Sequence, residues 1–170
     1  AKYGNSGTGT LTAGLVSGGY NTTNLNETEE YNGSTWSEQN NMGTARYRTA
    51  ATGTQTATIL FGGGTYPGSP QDVDNVEEYD GTSWTTLTSL PSDRSMGHAF
   101  GTTTNAIITG GRTGPPGASS TTFQWDGTSY TSFPALSTAR YNGGDGATTS
   151  STAGIVAGGY TTTSRTVTEE

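Results

Sequence analysis

Cysteine is absent from the 170 residues. That removes disulfides, cysteine-based metal sites and thiol nucleophiles together, although a chain without cysteine can belong to any compartment. Histidine occurs once, at His98. Charged residues make up 12% of the chain, against about 25% in an ordinary globular domain. Hydrophobic residues other than glycine make up 28%, below the roughly 45–50% of globular domains even after allowing for the glycine counted there. No apolar run approaches the roughly 18 residues needed to span a bilayer. The seven basic residues are scattered among 14 acidic ones, giving a net charge of -7. Binding to nucleic acid, which needs clustered Lys and Arg, is excluded on that ground.

Thr, Gly, Ser and Asn fill the space that charge and apolar bulk leave. These are poor helix formers and good strand or turn formers, so a helix bundle is excluded. Low-complexity disorder and a β-architecture with thin, repeated cores remain. Disorder predicts no periodic apolar runs, and this chain has them.

A short apolar run ending in a glycine pair occurs four times, at Gly18-Gly19, Gly62-Gly63, Gly110-Gly111 and Gly158-Gly159. The first glycines lie 44, 48 and 48 residues apart. After each pair and a variable loop comes an aromatic pair flanking an Asx-Gly turn: Tyr31 and Trp36, Tyr79 and Trp84, then Trp125 and Tyr130. The third copy exchanges Trp and Tyr while keeping total aromatic volume, which predicts that both rings pack into one small core. A basic residue marks a third position, in Ala1-Lys2-Tyr3, Ala45-Arg46-Tyr47, Asp93-Arg94 and Ala139-Arg140-Tyr141. Three independent markers share one period.

Apolar or β-branched runs of four to six residues alternate with Gly, Asn, Asp and Pro, which predicts short strands and turns. Asn-Gly and Asp-Gly between aromatics are hairpin signals. Four strands per repeat are expected, near Tyr47–Thr52, Ala57–Gly62, Val76–Tyr79 and Trp84–Leu87 in the best-defined copy. Four strands in about 40–50 residues is the signature of a propeller blade. The second strand, which alternates little, is expected to be buried between neighbouring blades. The expected fold is therefore an all-β propeller of four-stranded antiparallel blades, about 3.75 of them present. The blades are placed at residues 1–44, 45–92, 93–138 and, incomplete, 139–170. Because Glu169-Glu170 stands where other repeats continue into Tyr-Asx-Gly, a longer chain or a strand supplied from elsewhere is expected.

The order of apolar run, Gly-Gly, variable loop, Tyr, Gly turn, Trp and basic residue resembles the kelch motif over nearly the whole chain. The Tyr-Asx-Gly-Thr-Ser-Trp wording and Thr-rich strands are also similar to kelch-like repeats of bacteriophage tail, fibre and surface proteins. Galactose oxidase is a kelch enzyme whose copper site uses a cysteine-linked tyrosine and histidines. The lack of cysteine and the single His98 exclude that activity here. Asp80-Gly81-Thr82-Ser83-Trp84 is similar to the Asp-box of sialidase propellers, but lacks the residue that the box carries between Asp and Gly. Sialidases also need an arginine cluster and a Tyr/Glu nucleophile pair.

Arg46, Arg94 and Arg140 recur at the repeat period, so each is expected in the same place in its own blade. Their expected partners are blade carboxylates such as Glu30 and Glu78, with Gln124 replacing the carboxylate in the third copy. The pairs Glu29/Glu30 and Glu77/Glu78 are not acid/base dyads, because adjacent strand residues point to opposite faces. One solvated and one structural Glu is expected in each. His98 falls where a repeat's first strand begins and lacks the partners that catalysis or metal binding needs. Asp72 and Asp74 offer oxygen ligands of the kind calcium takes, without the glycine and distal glutamate of an EF-hand loop. A plain acidic loop is the competing expectation.

Loop length varies most after the glycine pairs, at Tyr20–Asn26, Gly64–Asn75, Arg112–Ser120 and Tyr160–Arg165. In repeat proteins such insertions share one face, often the binding face. Tyr20, Asn24, Tyr66, Arg112 and Tyr160 are the candidate contact residues there, with Asp72 and Asp74, since Tyr and Arg suit protein contacts and Tyr with Asn suits sugars. The expected function is a non-catalytic structural or adhesion module on a virion or extracellular surface. Its expected partners are structural proteins of the same particle or a host glycan or receptor, with homo-oligomerisation as an option and no cofactor, nucleic acid or membrane insertion. An intracellular kelch adaptor and a glycan-active enzyme completed by further blades are the alternatives.

Overall fold

The computed structural model describes residues 1–67, 71–114, 117–146, 150–164 and 166–170. It is all-β, and no helix among the described residues is long and apolar enough to cross a membrane. The first sheet holds β1 (Ser6–Thr10), β2 (Ala13–Ser17), β3 (Thr28–Tyr31) and β4 (Trp36–Gln39). The second holds β5 (Ala50–Thr54), β6 (Ala57–Phe61), β7 (Val76–Tyr79) and β8 (Trp84–Thr86). The third holds β9 (His98–Thr102), β10 (Asn105–Thr109), β11 (Thr122–Trp125) and β12 (Tyr130–Phe133). The fourth holds β13 (Gly144–Gly146), β14 (Ile155–Ala157) and β15 (Thr168–Glu169). Within every sheet the strands pair antiparallel in sequence order, giving three four-stranded sheets and one three-stranded sheet, each blade-like.

The third and fourth expected strands of the second repeat stand almost where the pattern put them. The first does not: it starts at Ala50, and Tyr47 lies outside it in an isolated bridge to Gly64. The reason is Arg48, whose φ of 58° breaks the extended run. Gly4, Met96 and Asn142 hold the same left-handed conformation at the equivalent points. This bend lets neighbouring sheets join. The Arg48 N–H donates to the Gly4 carbonyl (2.6 Å), Met96 N–H to Arg48 (2.8 Å) and Asn142 N–H to Met96 (3.0 Å). A ladder of main-chain bonds thus runs from sheet to sheet across the first strands. Those strands pack side by side, with the Ser6 hydroxyl on the Thr49 carbonyl and the Thr52 hydroxyl on that of Gly101 (2.9 Å).

The second strands of the two middle sheets, β6 and β10, are buried on both faces, as their unalternating composition implies, while β2 and β14 are only partly buried. The main core lies between the second and third sheets. It is made by Ile59, Phe61 and Val76 on one side and Ala99, Ala106, Ile108 and Trp125 on the other. The aromatic pairs do pack ring on ring, at 5.2, 5.1 and 4.7 Å between centroids for Tyr31/Trp36, Tyr79/Trp84 and Trp125/Tyr130. Only the first ring of the later two pairs is fully buried, however, so the second ring is a cover and not an equal core member. Tyr79 and Trp84 reach back to the first sheet, to Glu30 and Thr28, and Tyr130 reaches back to the Thr88 carbonyl beside the second. Burial and the Glu30 carboxylate push the Tyr79 hydroxyl up to about 12. Trp36, in the first sheet, is 52% exposed. The Asx-Gly turns close through Asn32, Asp80 and Asp126, each accepting two main-chain N–H groups from the residues two and three ahead.

The glycine pair and the arginine share a period because they bind each other. The N–H groups of Gly19, Gly63 and Gly111 donate to the carbonyls of Arg46, Arg94 and Arg140 in the following repeat (3.0, 2.7 and 2.8 Å). The preceding glycine has a φ near 63° and lies so close that a Cβ on Gly62 would collide with the Arg94 carbonyl oxygen. The arginine side chain turns the other way, into its own sheet. Arg94 donates to the Gly110 and Thr121 carbonyls (2.7 and 3.0 Å), and Arg140 to those of Gly158 and Val167 (3.1 and 2.8 Å). Each arginine therefore ties two successive sheets.

The carboxylate partners differ from expectation by one residue. Arg46 pairs with Glu77 at 3.2 Å, both fully buried, and Arg140 pairs with Glu169. Lys2 pairs with Glu29 in the first sheet. Strand alternation explains the shift: the first Glu of each pair faces the basic marker of its own sheet, and the second faces away, as Glu30 does toward Tyr79. Glu30 is thus a fold contact, not a solvated group. Gln124 is not the replacement that matters in the third sheet either. Phe123 holds the Glu77 position, and the Arg94 guanidinium lies 5.1 Å from its ring centroid. Burial lowers Arg94 to about 10, and no carboxylate among the described residues pairs with it to offset this. Burial also lowers Arg46, with Glu77 opposing it. His98 opens β9 and is buried.

Candidate binding face

The residue after each glycine pair forms a bridge with the residue after each basic marker. The pairs are Tyr3 with Tyr20, Tyr47 with Gly64, Ser95 with Arg112 and Tyr141 with Tyr160. The topology thus carries the variable loops and the marker tyrosines to the same end of the sheets. The rings of Tyr3 and Tyr47 sit 5.5 and 5.6 Å from Tyr20, and Tyr66 meets Tyr20 edge-on at 6.0 Å. Gly64 makes room: a Cβ there would stand 2.9 Å from Tyr47 Cε1. Tyr66 then supplies from two residues ahead the ring that its repeat lacks at Gly64.

These four tyrosines, with Arg48, Gln71 and Arg112, line an open cleft of about 280 Å³. Arg48 is half-buried, its guanidinium 4.8 Å from the Tyr47 ring centroid. Asn24 reaches across from the first repeat and holds Tyr66 by both main-chain groups: its side-chain amide donates to the Tyr66 carbonyl (3.0 Å), and its oxygen accepts the Tyr66 N–H (3.2 Å). Asn24 is therefore a positioning residue for Tyr66.

Asp72 is buried and fully engaged. It accepts Arg112 Nη2 at 2.7 Å and Nε at 3.1 Å, the Ser95 hydroxyl at 2.6 Å and the Gly114 N–H at 2.7 Å. The hydrogen bond and charge of Asp72 raise Arg112 against the opposing effect of its burial. This clamp fastens the second loop to the third and fixes Arg112 at the cleft edge. Asp74 does not join Asp72; its carboxylate acts on Tyr130, whose hydroxyl is raised by burial first and by Asp74 second. The two aspartates thus part company. Residues two apart share a face only in a regular strand, and this segment is irregular beyond the isolated Asp72 bridge, so the spacing alone does not bring the two carboxylates together.

Tyr160 stacks on Tyr141 at 5.5 Å in the fourth repeat, apart from the cleft. Sequence reasoning thus named three cleft residues, Tyr20, Tyr66 and Arg112. It left out Tyr3, Tyr47, Arg48 and Gln71. Tyr3 and Tyr47 carried a signal as the residue after each basic marker, but Arg48 and Gln71 carried none. Residues 68–70, 115–116 and Arg165 of the expected loops lie outside the described residues.

A larger cavity of about 500 Å³ between the third and fourth sheets is lined chiefly by apolar groups such as Phe100, Phe133, Leu136 and Val156. Thr109, Thr122, Ser151, Thr152, Glu169 and Glu170 line it as well, and Glu169 is already paired with Arg140. A scan against protein-family models matched none, and a search of curated proteins returned no match.

Proposed function

We propose that this chain is part of a kelch-like β-propeller of about 3.75 blades, serving as a non-catalytic interaction module on a virion or other extracellular surface. The repeat markers and the sheet-to-sheet ladder support the propeller. The Thr, Gly and Asn-rich, acidic, cysteine-free composition and the similarity to kelch-like phage repeats support the surface setting. The observation that carries the binding role is the tyrosine-lined cleft at the loop end, held rigid by Asn24 and by the Asp72–Arg112 clamp. Tyrosines fixed before contact lose little rotamer freedom on binding, which favours recognition. Three of the four adjacent carboxylates that could suggest a glycosidase are engaged elsewhere: Glu77 with Arg46, Glu29 with Lys2 and Glu30 with Tyr79. Its partners on this reading are a glycan or receptor, or structural proteins of the same particle.

The test is binding of fluorescently labelled protein to host cells and to isolated particle components, with Tyr20→Ala and Tyr66→Ala for comparison. Saturable binding lost in both variants is expected. Binding to neither target, or binding indifferent to both variants, would refute the reading. Turnover of glycoside substrates by the intact protein would favour the enzyme alternative instead.

A further inference from the structure

Resting on the interaction-module reading, we infer that the tyrosine cleft takes one acidic sugar residue, anchored through its carboxylate by Arg48. The cleft's size comes first. At about 280 Å³ it falls just below the 300–1,000 Å³ typical of sites for drug-sized ligands, so it suits one pyranose and not a folded peptide element. Its walls come second. Tyr3, Tyr20, Tyr47 and Tyr66 present rings tilted to one another by 46 to 71°. Rings so tilted offer faces to the C–H side of a sugar and leave their hydroxyls for its oxygens. Gln71 adds an amide that both donates and accepts.

Charge decides the ligand class. Among the described residues the lining contains two guanidiniums and no carboxylate, in a chain whose net charge is -7. The Arg112 charge is already met by the bidentate Asp72. Arg48 is different: its guanidinium lies over Tyr47, beside the open cleft. Its repeat-equivalents are Gly4, Met96 and Asn142, so the ladder does not require a cation at this point. The positive charge belongs to this cleft and not to the repeat. A guanidinium binds a carboxylate through two parallel N–H bonds, which an ammonium cannot match.

The probes are methyl β-glucuronide and methyl β-glucoside, which differ only by the carboxylate, together with sialyllactose and lactose. Affinities are measured by NMR titration of the full chain and of Arg48→Met and Tyr66→Ala. Met is tolerated at this backbone position, since Met96 already occupies its equivalent, and chemical unfolding of each variant checks that it is folded. The expected result is at least a tenfold preference for each acidic sugar over its neutral partner, about 1.4 kcal/mol. Arg48→Met should abolish the preference, and added salt should weaken it. Tyr66→Ala should weaken acidic and neutral sugars alike. Equal affinity for glucuronide and glucoside would overturn the acidic anchor while leaving the surface-module reading intact. No binding of any of the four sugars would overturn the sugar inference, and the cell and particle assay then decides the module reading separately.

Discussion

Removing charge from one side of the Arg46–Glu77 pair should cost more than removing it from both. Both side chains are fully buried, with Nη1 and Oε1 3.2 Å apart. Glu77 also accepts the N–H groups of Gly43 (3.2 Å) and Thr44 (3.0 Å). Among the described residues Arg46 Nε, Nη1 and Nη2 make no hydrogen bond, so its charge depends on the ion pair with Glu77. Glu77→Gln keeps an acceptor for one N–H but leaves a buried, uncompensated guanidinium; breaking such a pair typically costs about 3–5 kcal/mol. Arg46→Met leaves the carboxylate with its two N–H donors, which limits the loss to about 3 kcal/mol on the same scale. The double variant Arg46→Met/Glu77→Gln removes both charges and keeps one acceptor. Its expected cost is about 1–2 kcal/mol, that of an imperfectly satisfied polar group. The singles together would then exceed the double by about 4–7 kcal/mol, far beyond the roughly 0.5 kcal/mol within which independent sites add. Urea unfolding followed by tryptophan fluorescence measures all four proteins. At about 2–4 °C per kcal/mol for a chain of this size, Glu77→Gln should lower Tm by about 6–20 °C. Additive losses would refute the coupling and show that Arg46 is held by its main chain alone.

Four further outcomes follow from the same geometry. Phe123→Glu should rebuild in the third sheet the pair that the second has, raising Arg94 toward its ordinary value. A charge-assisted bond of about 1.5–3 kcal/mol less the lost ring contact of about 0.5–1.5 leaves a gain of about 1 kcal/mol by urea unfolding; a loss would show that Thr121 already satisfies Arg94. Met96→Gly relieves a left-handed residue by about 1–2 kcal/mol against about 0.5–1 of chain entropy, so stability should rise by about 0.5–1 kcal/mol, and a fall would contradict the strain. Gly64→Ala should displace Tyr47 and change the near-ultraviolet circular dichroism of the tyrosine cluster, while an unchanged spectrum would place Tyr47 elsewhere. Stability should also fall in acid. The N–H groups of Ser83 and Thr82 hold Asp80 below its ordinary value, and those of Ser129 and Thr128 hold Asp126 there. Glu169 is lowered as well, by Ser137 and Arg140, against the upward push of its burial. Carboxyls depressed in the folded state contribute stability above their unfolded value near about 4, and lose it as pH falls through the folded value. Unfolding free energy should therefore be flat from neutrality to about pH 5 and decline below about 4; a decline beginning above pH 6 would point to another group.

The sequence by itself determined the strands, the turns and the period. Gly-Gly, Asx-Gly and the apolar runs act over a few residues, and local backbone conformation obeys them: β7 (Val76–Tyr79) is where Val76-Glu77-Glu78-Tyr79 said it would be. The repeat also announced that Arg46, Arg94 and Arg140 play one part. Which carboxylate answers each arginine was a matter of strand parity, which adjacent glutamates leave open until the register is known. Phe123 as the third partner needed the structure, because a ring facing a guanidinium leaves no charge pattern in the sequence. The cleft was decided by tertiary structure almost entirely. Arg48 and Gln71 belong to no repeat marker, and only the bridges at Tyr20 and Gly64 bring them beside Tyr3 and Tyr66. Period is a property of the chain, whereas a site joins residues from three repeats and exists only where the sheets meet.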